Sequence, residues 1–297
     1  MEFRELKTFQ VVASLLSFNK AANVLNLAQS TVSAQIRSLE NSLKKELFSR
    51  TGKTISLTPA GVKLLNYTQR LVNIEKEIRS VLGDLDDKYG VLTIKTPQSV
   101  STYFIPELIK DFQIIFPKIG FDIDWCTSFN LLEILNSGTI DLAFLITDHF
   151  EDKNLYTEEL TKIKLYLVTH PEHELANKRK ITIKDLNDKT LLFAKSECNY
   201  KKILMKMIIH SDIKPKKIIE INSLEAIKRL LLSGNGIAFL PEIVIADYLE
   251  KGVLKTVNLS ASDFNAKLIM IWSKEKHISE SLNAFMMMVR KKFSLIT

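Results

Sequence analysis

The sequence predicts an α/β protein with an N-terminal all-α winged helix-turn-helix, a long linker helix and two Rossmann-like α/β lobes. Short apolar stripes at helical spacing fill the first 43 residues, and a run without strong helix breakers follows over residues 59–88. After residue 90, strand and helix patterns alternate, as in parallel sheets with crossover helices. The 297 residues can form two or three domains, and no apolar run approaches the roughly 20 residues that span a bilayer.

The basic charge is concentrated near the N-terminus. The net charge is +7 and the isoelectric point is about 9.1. Residues 1–70 hold 10 Lys and Arg against 4 Glu and no Asp, so the rest of the chain is close to neutral. This distribution favours a polyanionic partner for the N-terminal segment. Only two cysteines occur and the N-terminus is too charged for a secretion signal, so we expect a cytoplasmic protein without a disulfide framework.

One helix near residue 35 has two contrasting faces. Its apolar stripe, at spacings of four, three and four, consists of Val32, Ile36, Leu39 and Leu43. Its opposite stripe is small, hydrogen-bonding and almost free of acid, and consists of Ser30, Ala34, Arg37 and Asn41. Ser17 caps a shorter helix before it, over residues 19–26, and residues 27–29 make a tight connection. This is the helix-turn-helix pattern, whose second helix can enter the major groove of DNA.

A basic wing follows the two helices. Gly52 permits a turn between two short extended runs, and we expect contacts to phosphates from Arg50, Lys53 and Thr54 beside it. From the recognition helix we expect contacts to base edges or nearby phosphates by Gln29, Ser30, Thr31, Ser33 and Arg37. Arg37 is the strongest candidate because Arg pairs in a bidentate way with guanine. Each of these residues could instead be a solvated surface side chain.

These residues resemble a known family. The N-terminal signature of LysR-type transcriptional regulators is similar in order and spacing to Ser17, Phe18, Ala21, Ala22, Leu25, Gln29, Ser30, Ser33, Gln35, Ile36, Leu39, Glu40, Leu47, Phe48, Arg50 and the run 57–61. The resemblance implies a sequence-specific DNA-binding regulator that responds to a small-molecule effector. Ala34 departs from the family, which often has a long polar residue there. Lys44 stands where a Gly commonly ends the recognition helix.

The long helix over residues 59–88 carries a heptad seam. The seam consists of Leu64, Leu71, Ile78 and Leu85 together with, three residues later in each heptad, Tyr67, Ile74 and Val81. This spacing predicts a helix–helix contact of coiled-coil type, although the helix could also lie on its own domain. A dimer formed through the seam would present two recognition helices to a two-fold symmetric operator.

The segment after residue 90 resembles the effector-binding region of the same family, with two lobes related to periplasmic binding proteins. Its clearest match is the run 234–241. The resemblance implies a DNA-binding domain at residues 1–58, a dimerisation helix at 59–90 and an effector-binding domain at 91–297. Lobe I would comprise residues 91–162 and 267–297, and lobe II residues 163–266. Within the lobes, the pattern predicts a helix over residues 102–116 and a strand over residues 161–169.

A polar segment follows the first strand of lobe I and contains Gln98, Ser99, Ser101 and Thr102. Hydroxyls and backbone N–H groups at a helix start can bind an anion, and ligands of open α/β sheets lie at the carboxyl ends of strands. The resemblance implies an interlobe cleft there, whose opposite side carries Thr147, Ser196, Cys198 and Asn199. Ser101 could instead be an ordinary helix cap.

The sequence predicts neither a metal site nor a cofactor. His170 and His173 lack a third ligand at a suitable spacing, and a thiol sensor at Cys198 is disfavoured because Cys126 is far away in sequence. The chain has no nucleotide-binding glycine loop and no nucleophile elbow, so we expect a regulator and not an enzyme. The alternatives are an effector-insensitive or non-specific DNA-binding protein, and a small-molecule-binding protein without a regulatory role.

The expected partners follow from this reading. They are double-stranded promoter DNA, a small-molecule effector for which an anion is a candidate, and further copies of the chain in a homodimer or homotetramer. RNA polymerase is a further candidate partner, and no membrane is expected.

Overall fold

A computed structural model of the chain describes residues 1–51, 54–81, 90–125, 131–195, 198–259, 264 and 266–294. The chain divides into two compact units, Met1–Asp86 and Asp87–Thr297. Among the described residues, no helix is both long enough and apolar enough to cross a membrane.

The first unit is a helical domain with a two-stranded wing and a long helix. Its elements in chain order are α1 (Phe3–Leu15), α2 (Phe18–Leu25), α3 (Gln29–Leu43), β1 (Phe48–Thr51), β2 (Thr54–Leu57) and α4 (Pro59–Val81). The strands are antiparallel, and Phe48 lies opposite Leu57. Ser17 caps α2, because its hydroxyl accepts the Lys20 N–H at 3.3 Å.

The apolar stripe of α3 is the centre of this unit's core. Val32, Ile36 and Leu39 are all fully buried, as their spacing predicts. The ring of Phe48, from the first wing strand, lies 5.4 Å from the Phe9 ring of α1 and 5.8 Å from the Phe18 ring of α2. The wing is therefore part of the same core as the three helices.

The first three helices all end on a left-handed residue other than glycine. These residues are Leu16, Asn26 and Lys44, with φ of 45°, 53° and 51°. The Lys44 N–H donates to the Asn41 carbonyl at 3.3 Å and closes the last turn of α3. The recognition helix thus ends in the conformation that a glycine adopts most easily, at a cost of about 1–2 kcal/mol for a residue with a side chain.

The second unit contains two five-stranded sheets. Its elements are β3 (Gly90–Thr96), α5 (Gln98–Tyr103), α6 (Ile105–Ile115), β4 (Ile119–Trp125), α7 (Leu131–Asn136), β5 (Leu142–Thr147), β6 (Leu155–Ile163), β7 (Leu165–Thr169), a 3-10 turn (Ile183–Leu186), β8 (Thr190–Ala194), α8 (Cys198–His210), β9 (Lys217–Ile221), α9 (Leu224–Leu232), β10 (Ile237–Pro241), α10 (Glu242–Glu250), β11 (Lys255–Val257), β12 (Ala266–Ser273) and α11 (Glu280–Ser294).

The strand orders are β4-β3-β5-β12-β6 in the first sheet and β11-β7-β10-β8-β9 in the second. In the first sheet β3 pairs in parallel with β4 and β5, whereas β12 is antiparallel to β5 and β6. In the second sheet β8 pairs in parallel with β9 and β10, whereas β7 is antiparallel to β10 and β11. The α/β class is confirmed, but purely parallel sheets are not. Each of these antiparallel pairs involves β7 or β12, the strands that follow the two crossings of the chain between the sheets.

Two predicted elements are each divided in the structure. The strand expected over residues 161–169 is two strands, β6 and β7, because the chain passes from one sheet to the other at Lys164. The helix expected over residues 102–116 is also two helices, which meet at Phe104. Pro106 lies in the first turn of α6, where its missing N–H is tolerated, and this position is typical of a new helix start.

The two sheets share a buried apolar cluster. It includes Ile94 and Phe144 from the first sheet and Phe193 and Phe239 from the second. The C-terminal helix α11 closes the first lobe, with the Phe285 ring 5.5 Å from the Phe112 ring of α6. The lobes therefore meet across a packed apolar contact on one side, which limits how freely one lobe can move against the other.

Gly61 is the one residue of α4 whose lack of a side chain is required by close packing. A Cβ atom at this position would lie 2.2 Å from the Leu47 carbonyl oxygen.

We predict that Gly61→Ala lowers the free energy of unfolding of the first unit by about 1–3 kcal/mol, because the backbone has to shift. Native-state hydrogen exchange of the α3 amides measures the loss. Gly120→Ala is the matched control, since its Cβ would meet only ordinary contacts from 3.4 Å. Equal protection in both variants would contradict the prediction.

Candidate nucleic-acid interface and interlobe cleft

The outer face of α3 is exposed and polar. Gln29, Ser30, Thr31 and Arg37 are exposed, and Ser33 is half-buried. The Gln29 side-chain amide donates to the Ser33 hydroxyl at 3.0 Å. The structure therefore places all five predicted recognition-helix residues on one helix, and two of them, one turn apart, are hydrogen-bonded to each other.

Arg37 has no partner among the residues that the structure describes. Its exposed guanidinium forms no ion pair or hydrogen bond with any described side chain or carbonyl. Five N–H donors therefore remain available for an external acceptor, in the geometry that suits guanine or phosphate.

The inner polar residues of α3 are fixed by α1. The buried Thr8 hydroxyl donates to the Gln35 side-chain oxygen at 2.5 Å. Glu5, also buried, accepts hydrogen bonds from the Ser38 hydroxyl and the Glu2 N–H, and these bonds hold the pKa of its carboxyl below the usual value. These contacts fix the rotation of α3 about its own axis, in addition to the apolar stripe.

Glu40 connects the recognition helix to the wing. Its Oε1 atom accepts the Leu47 N–H at 2.8 Å and the Phe48 N–H at 3.3 Å, where β1 begins. It is the only acid in α3, and these two bonds direct its carboxylate toward the wing. In the sequence, Glu40 was notable only as part of the family resemblance, and no role was predicted for it.

Within the wing, Arg50 lies opposite Ile55 and Thr51 opposite Thr54. Lys53 and the side chains of Arg50 and Thr54 lie outside the described part of the structure.

One side of α4 packs on α1 and the other is exposed. Thr68 and Val72 are buried, and Lys7 of α1 forms an ion pair with Glu75 at 3.2 Å. Four residues of the predicted seam form an exposed apolar stripe, with exposed fractions of 61%, 41%, 50% and 53% for Tyr67, Leu71, Ile74 and Ile78. Leu64 instead packs against the core of the first unit, and the side chain of Val81 and all of Leu85 lie outside the description.

A polar contact crosses between the lobes beside the carboxyl end of β3. The Gln98 side-chain oxygen, at the start of α5, accepts the Leu224 N–H at 3.0 Å, at the start of α9. Ser223 caps α9 through its hydroxyl, which accepts the Ala226 N–H at 3.2 Å. The first turns of a helix from each lobe thus meet at this point, where backbone N–H groups attract negative charge.

The other predicted effector residues have mixed surroundings. Ser99 is fully buried and Thr102 is exposed. The Ser101 hydroxyl donates to the Gln98 carbonyl at 3.0 Å, a local bond within the helix. The Thr147 hydroxyl donates to the His149 carbonyl at 2.9 Å, in the turn after β5. Ser196, Cys126 and the side chains of Cys198 and Asn199 lie outside the described residues.

A second contact between the lobes was not predicted from the sequence. Lys228 of α9, only 8% exposed, forms an ion pair with Glu225 at 2.9 Å and lies 3.4 Å from the Tyr103 hydroxyl of α5. Its ammonium lies 5.0 Å from the centre of the Tyr248 ring. Burial acts to lower the pKa of Lys228, but the bonds to Glu225 and Tyr103 outweigh it and raise this pKa above its usual value. No local pattern signals this set, because its members come from three separate helices.

The two histidines considered as metal ligands are used by the backbone. The Nδ1 atom of His170 accepts the Glu172 N–H at 3.3 Å, and that of His173 accepts the Leu175 N–H at 3.2 Å. Among the residues that the structure describes, no group of three or more His, Cys, Asp or Glu side chains could hold a metal ion.

Comparison with known proteins agrees with this architecture. The model of the bacterial regulatory helix-turn-helix protein, lysR family, matches residues 3–62, and the model of the LysR substrate binding domain matches residues 86–294. The chain belongs to the LysR family of transcriptional regulators. LysR-type regulators bind DNA and form oligomers. This chain combines a DNA-binding helix-turn-helix with an effector-binding domain.

Relatives and solved structures match over nearly the whole chain. An HTH-type transcriptional regulator of Bacillus subtilis, YwqM, described as uncharacterised, is 32% identical over 99% of this chain and 100% of its own length. GltR of the same organism is 27% identical over 99% and 98%. Full-length OxyR from Pseudomonas aeruginosa has a TM-score of 0.72 at 22% identity, covering 99% of this chain and 95% of its own. CbnR in complex with its target DNA has 0.68 at 21%, covering 98% and 99%. The structural likeness establishes the fold.

We predict that Glu40→Ala loosens the start of the wing. Removing an ionised acceptor leaves the Leu47 and Phe48 N–H groups unpaired, which costs about 1.5–3 kcal/mol. Amide exchange at these two residues should accelerate, whereas Glu40→Gln keeps the acceptor oxygen and should change them less. Glu46→Ala is the control, because Glu46 is exposed and only its backbone carbonyl forms a described bond. Unchanged exchange in Glu40→Ala would remove this residue from the anchoring of the wing.

Proposed function

We propose that this regulator binds promoter DNA as a homodimer or homotetramer and that a small-molecule effector in the interlobe cleft changes this binding. Residues 1–58 bind DNA, residues 59–90 dimerise and residues 91–297 bind the effector, with lobe I at 91–162 and 267–297 and lobe II at 163–266. It acts on DNA in the cytoplasm, as a regulator and not as an enzyme. Contact with RNA polymerase at the promoter belongs to the same proposal.

The observation that carries the DNA-binding role is the acid-free outer face of α3 with its unpaired Arg37. Such a face can enter the major groove without repelling phosphates, and its short side chains allow close approach to base edges. In this proposal the contacts come from Gln29, Ser30, Thr31, Ser33 and Arg37 on the helix and from Arg50, Lys53 and Thr54 on the wing. Arg37 supplies base discrimination, and the wing supplies phosphate contacts.

The exposed stripe on α4 supports dimerisation. Tyr67, Leu71, Ile74 and Ile78 recur at coiled-coil spacing and are all more than two-fifths exposed. A second copy of α4 would cover them. The second unit offers further exposed apolar residues, namely Ile114 and Ile115 at the end of α6 and Ile209 at the end of α8, at 77%, 62% and 70%. These residues favour a tetramer over a simple dimer, because each chain then has a second self-association surface.

The meeting of two helix starts at Gln98 supports an anionic effector. A carboxylate or phosphate that replaced the Gln98 amide at the Leu224 N–H would contact both lobes at once. In this proposal the ligand-binding residues are Gln98, Ser99, Ser101, Thr102, Thr147, Ser196, Cys198 and Asn199. Ser99, being fully buried, and Thr147, being bonded within its own turn, act by shaping the backbone beside the ligand.

The experiment that tests the function is a footprint of the purified protein on DNA upstream of its own and neighbouring genes, with non-specific competitor at two salt concentrations. A discrete protected region that survives competitor supports the regulator. Binding that is equal on all fragments and disappears with salt would indicate a non-specific DNA-binding protein. A footprint that no small molecule alters would favour the effector-insensitive alternative.

We predict that Arg37→Ala weakens binding to the protected site by about 1–3 kcal/mol, because a bidentate contact is lost, and leaves the fold intact. Competition mobility shifts give the ratio of specific to non-specific affinity. Arg37→Lys is the matched variant, since it keeps the charge and loses only the planar donor pair. Both variants should lose discrimination, but only Arg37→Ala should also lose non-specific affinity. Wild-type discrimination in both would exclude Arg37 from base reading.

We predict that Gln98→Glu weakens anion binding at the cleft at least ten-fold. The new carboxylate would occupy the Leu224 N–H and repel a second negative charge. The probe is a panel of small carboxylates and sugar phosphates, scored by the rise in melting temperature of the full chain. Gln113→Glu, on the exposed side of α6, adds the same charge elsewhere. A compound that stabilises wild type, Gln98→Glu and Gln113→Glu equally binds at another place, and the cleft assignment fails.

A further inference from the structure

The near neutrality of the chain beyond the first unit conceals an uneven distribution. Residues 164–265, which carry the second sheet, contain 17 Lys and Arg against 12 Asp and Glu. Residues 91–163 and 266–297, which carry the first sheet, contain 11 against 13. The second lobe is therefore basic in its own right, although its core and its predicted effector residues account for little of that charge.

Much of this charge lies at one end of the second lobe, where β8 and β9 begin. The Asp188 N–H donates to the Lys214 carbonyl at 3.0 Å, and the Lys216 N–H donates to the Lys189 carbonyl at 2.9 Å. Lys178 forms an ion pair with Asp185 of the 3-10 turn at 2.9 Å. The loops 178–189 and 214–216 thus form one continuous surface, at the opposite end of the parallel strands from the interlobe cleft. We name it the basic pole and define it as Arg179, Lys180, Lys184, Lys214 and Lys216.

The cations of the basic pole outnumber the carboxylates beside them. All five side chains are exposed, and none forms an ion pair or a side-chain hydrogen bond with a described residue. Two nearby carboxylates are already paired, Asp185 with Lys178 and Glu174 with Lys189 at 2.5 Å, and the exposed Asp188 and Asp212 form no ion pair with a described residue. Five unpaired cations against two unpaired carboxylates leave an excess of positive charge on this surface, which attracts a polyanion.

The composition of the surface favours nucleic acid over an acidic protein. Among the described residues 176–189 and 212–217, no large apolar side chain is exposed. Protein interfaces need an apolar or aromatic core and are depleted in Lys, whereas contacts to a phosphate backbone need only Lys and Arg on flexible stems. Once the first unit is bound, DNA is also the polyanion held at high effective concentration near the rest of the chain.

We propose that the basic pole of lobe II contacts DNA phosphates outside the segment bound by the first unit. It acts as a second, sequence-independent contact that extends the DNA covered by each protomer. The inference rests on the proposed binding of a specific DNA site by the winged helix-turn-helix. It adds to that function a role for a surface that belongs to neither the recognition helix nor the effector cleft.

The test compares two full-length variants of equal net charge. The first carries Lys180→Gln, Lys184→Gln and Lys214→Gln. The control carries Lys153→Gln, Lys162→Gln and Lys291→Gln, three exposed lysines of the first lobe whose ammonium groups likewise have no described partner. Affinity for a long duplex centred on the footprinted site is measured from 50 to 200 mM salt. Thermal melting of both variants shows that they remain folded.

We expect the slope of log affinity against log salt to fall by up to about 2.7 in the pole variant, at about 0.9 for each lost phosphate contact. The control should keep the wild-type slope. Shortening the duplex to the segment bound by the first unit should lower the slope of wild type more than the slope of the pole variant, which keeps only Arg179 and Lys216 of the pole. These results together support a second DNA contact.

Three results would overturn the proposal. Equal slopes for wild type and both variants would show that the pole does not touch DNA. Equal losses in the two variants would show only a long-range effect of net charge. Unchanged DNA binding combined with loss of transcription activation in a purified system would mean that the pole meets an acidic protein. Failure of the underlying function looks different, because wild type itself would then protect no discrete site.

Discussion

The burial of Val32, Ile36 and Leu39 decides which face of α3 is exposed, and the proposed DNA-binding surface depends on that choice. A helix rotated by a third of a turn would present different residues to an external partner. The apolar stripe excludes such rotations, and the buried bonds of Thr8 and Glu5 to Gln35 and Ser38 exclude smaller ones. DNA recognition by this protein therefore depends first on the packing inside the first unit, because that packing determines which polar side chains of α3 can reach a base.

The two lobes of the second unit are joined by contacts of two kinds, which differ in how easily a ligand in the cleft could replace them. The apolar cluster shared by the two sheets joins them on one side. The contacts of Gln98 with Leu224 and of Tyr103 with Lys228 join them on another, and these are polar. Polar contacts can be exchanged for polar contacts with a ligand at little net cost, whereas a buried apolar cluster cannot be exchanged in this way. The side of the cleft that carries Gln98 is thus the side on which we propose that a ligand acts.

Much of the fold could be predicted from the sequence because its signals are local. Ser17 as a cap, the stripe of α3, the heptad seam and the alternation of strands and helices each depend on residues within one or two turns. The sequence could not indicate that residues 161–169 divide between two sheets, because that depends on which strands pair. It also could not reveal that Pro106 begins a new helix, since the same residue fits a single helix with a kink. For the site, the exposed face of α3 was predictable, whereas Glu40, Gln35 and Lys228 act through partners that are remote in sequence.

The backbone of Leu47 is hydrogen-bonded on both sides, to the recognition helix through its N–H and to the start of α4 through its carbonyl. Its N–H is held by Glu40 of the recognition helix, and its carbonyl accepts the Thr58 N–H at 3.0 Å, where α4 begins against Gly61. One residue thus connects the recognition helix, the first wing strand and the linker helix. In the dimer that we propose, a change in the crossing angle of the two α4 helices would displace the Leu47 carbonyl and, through the same residue, the wing and α3. In this proposal, a single backbone segment connects the geometry of the dimer to the geometry of DNA contact.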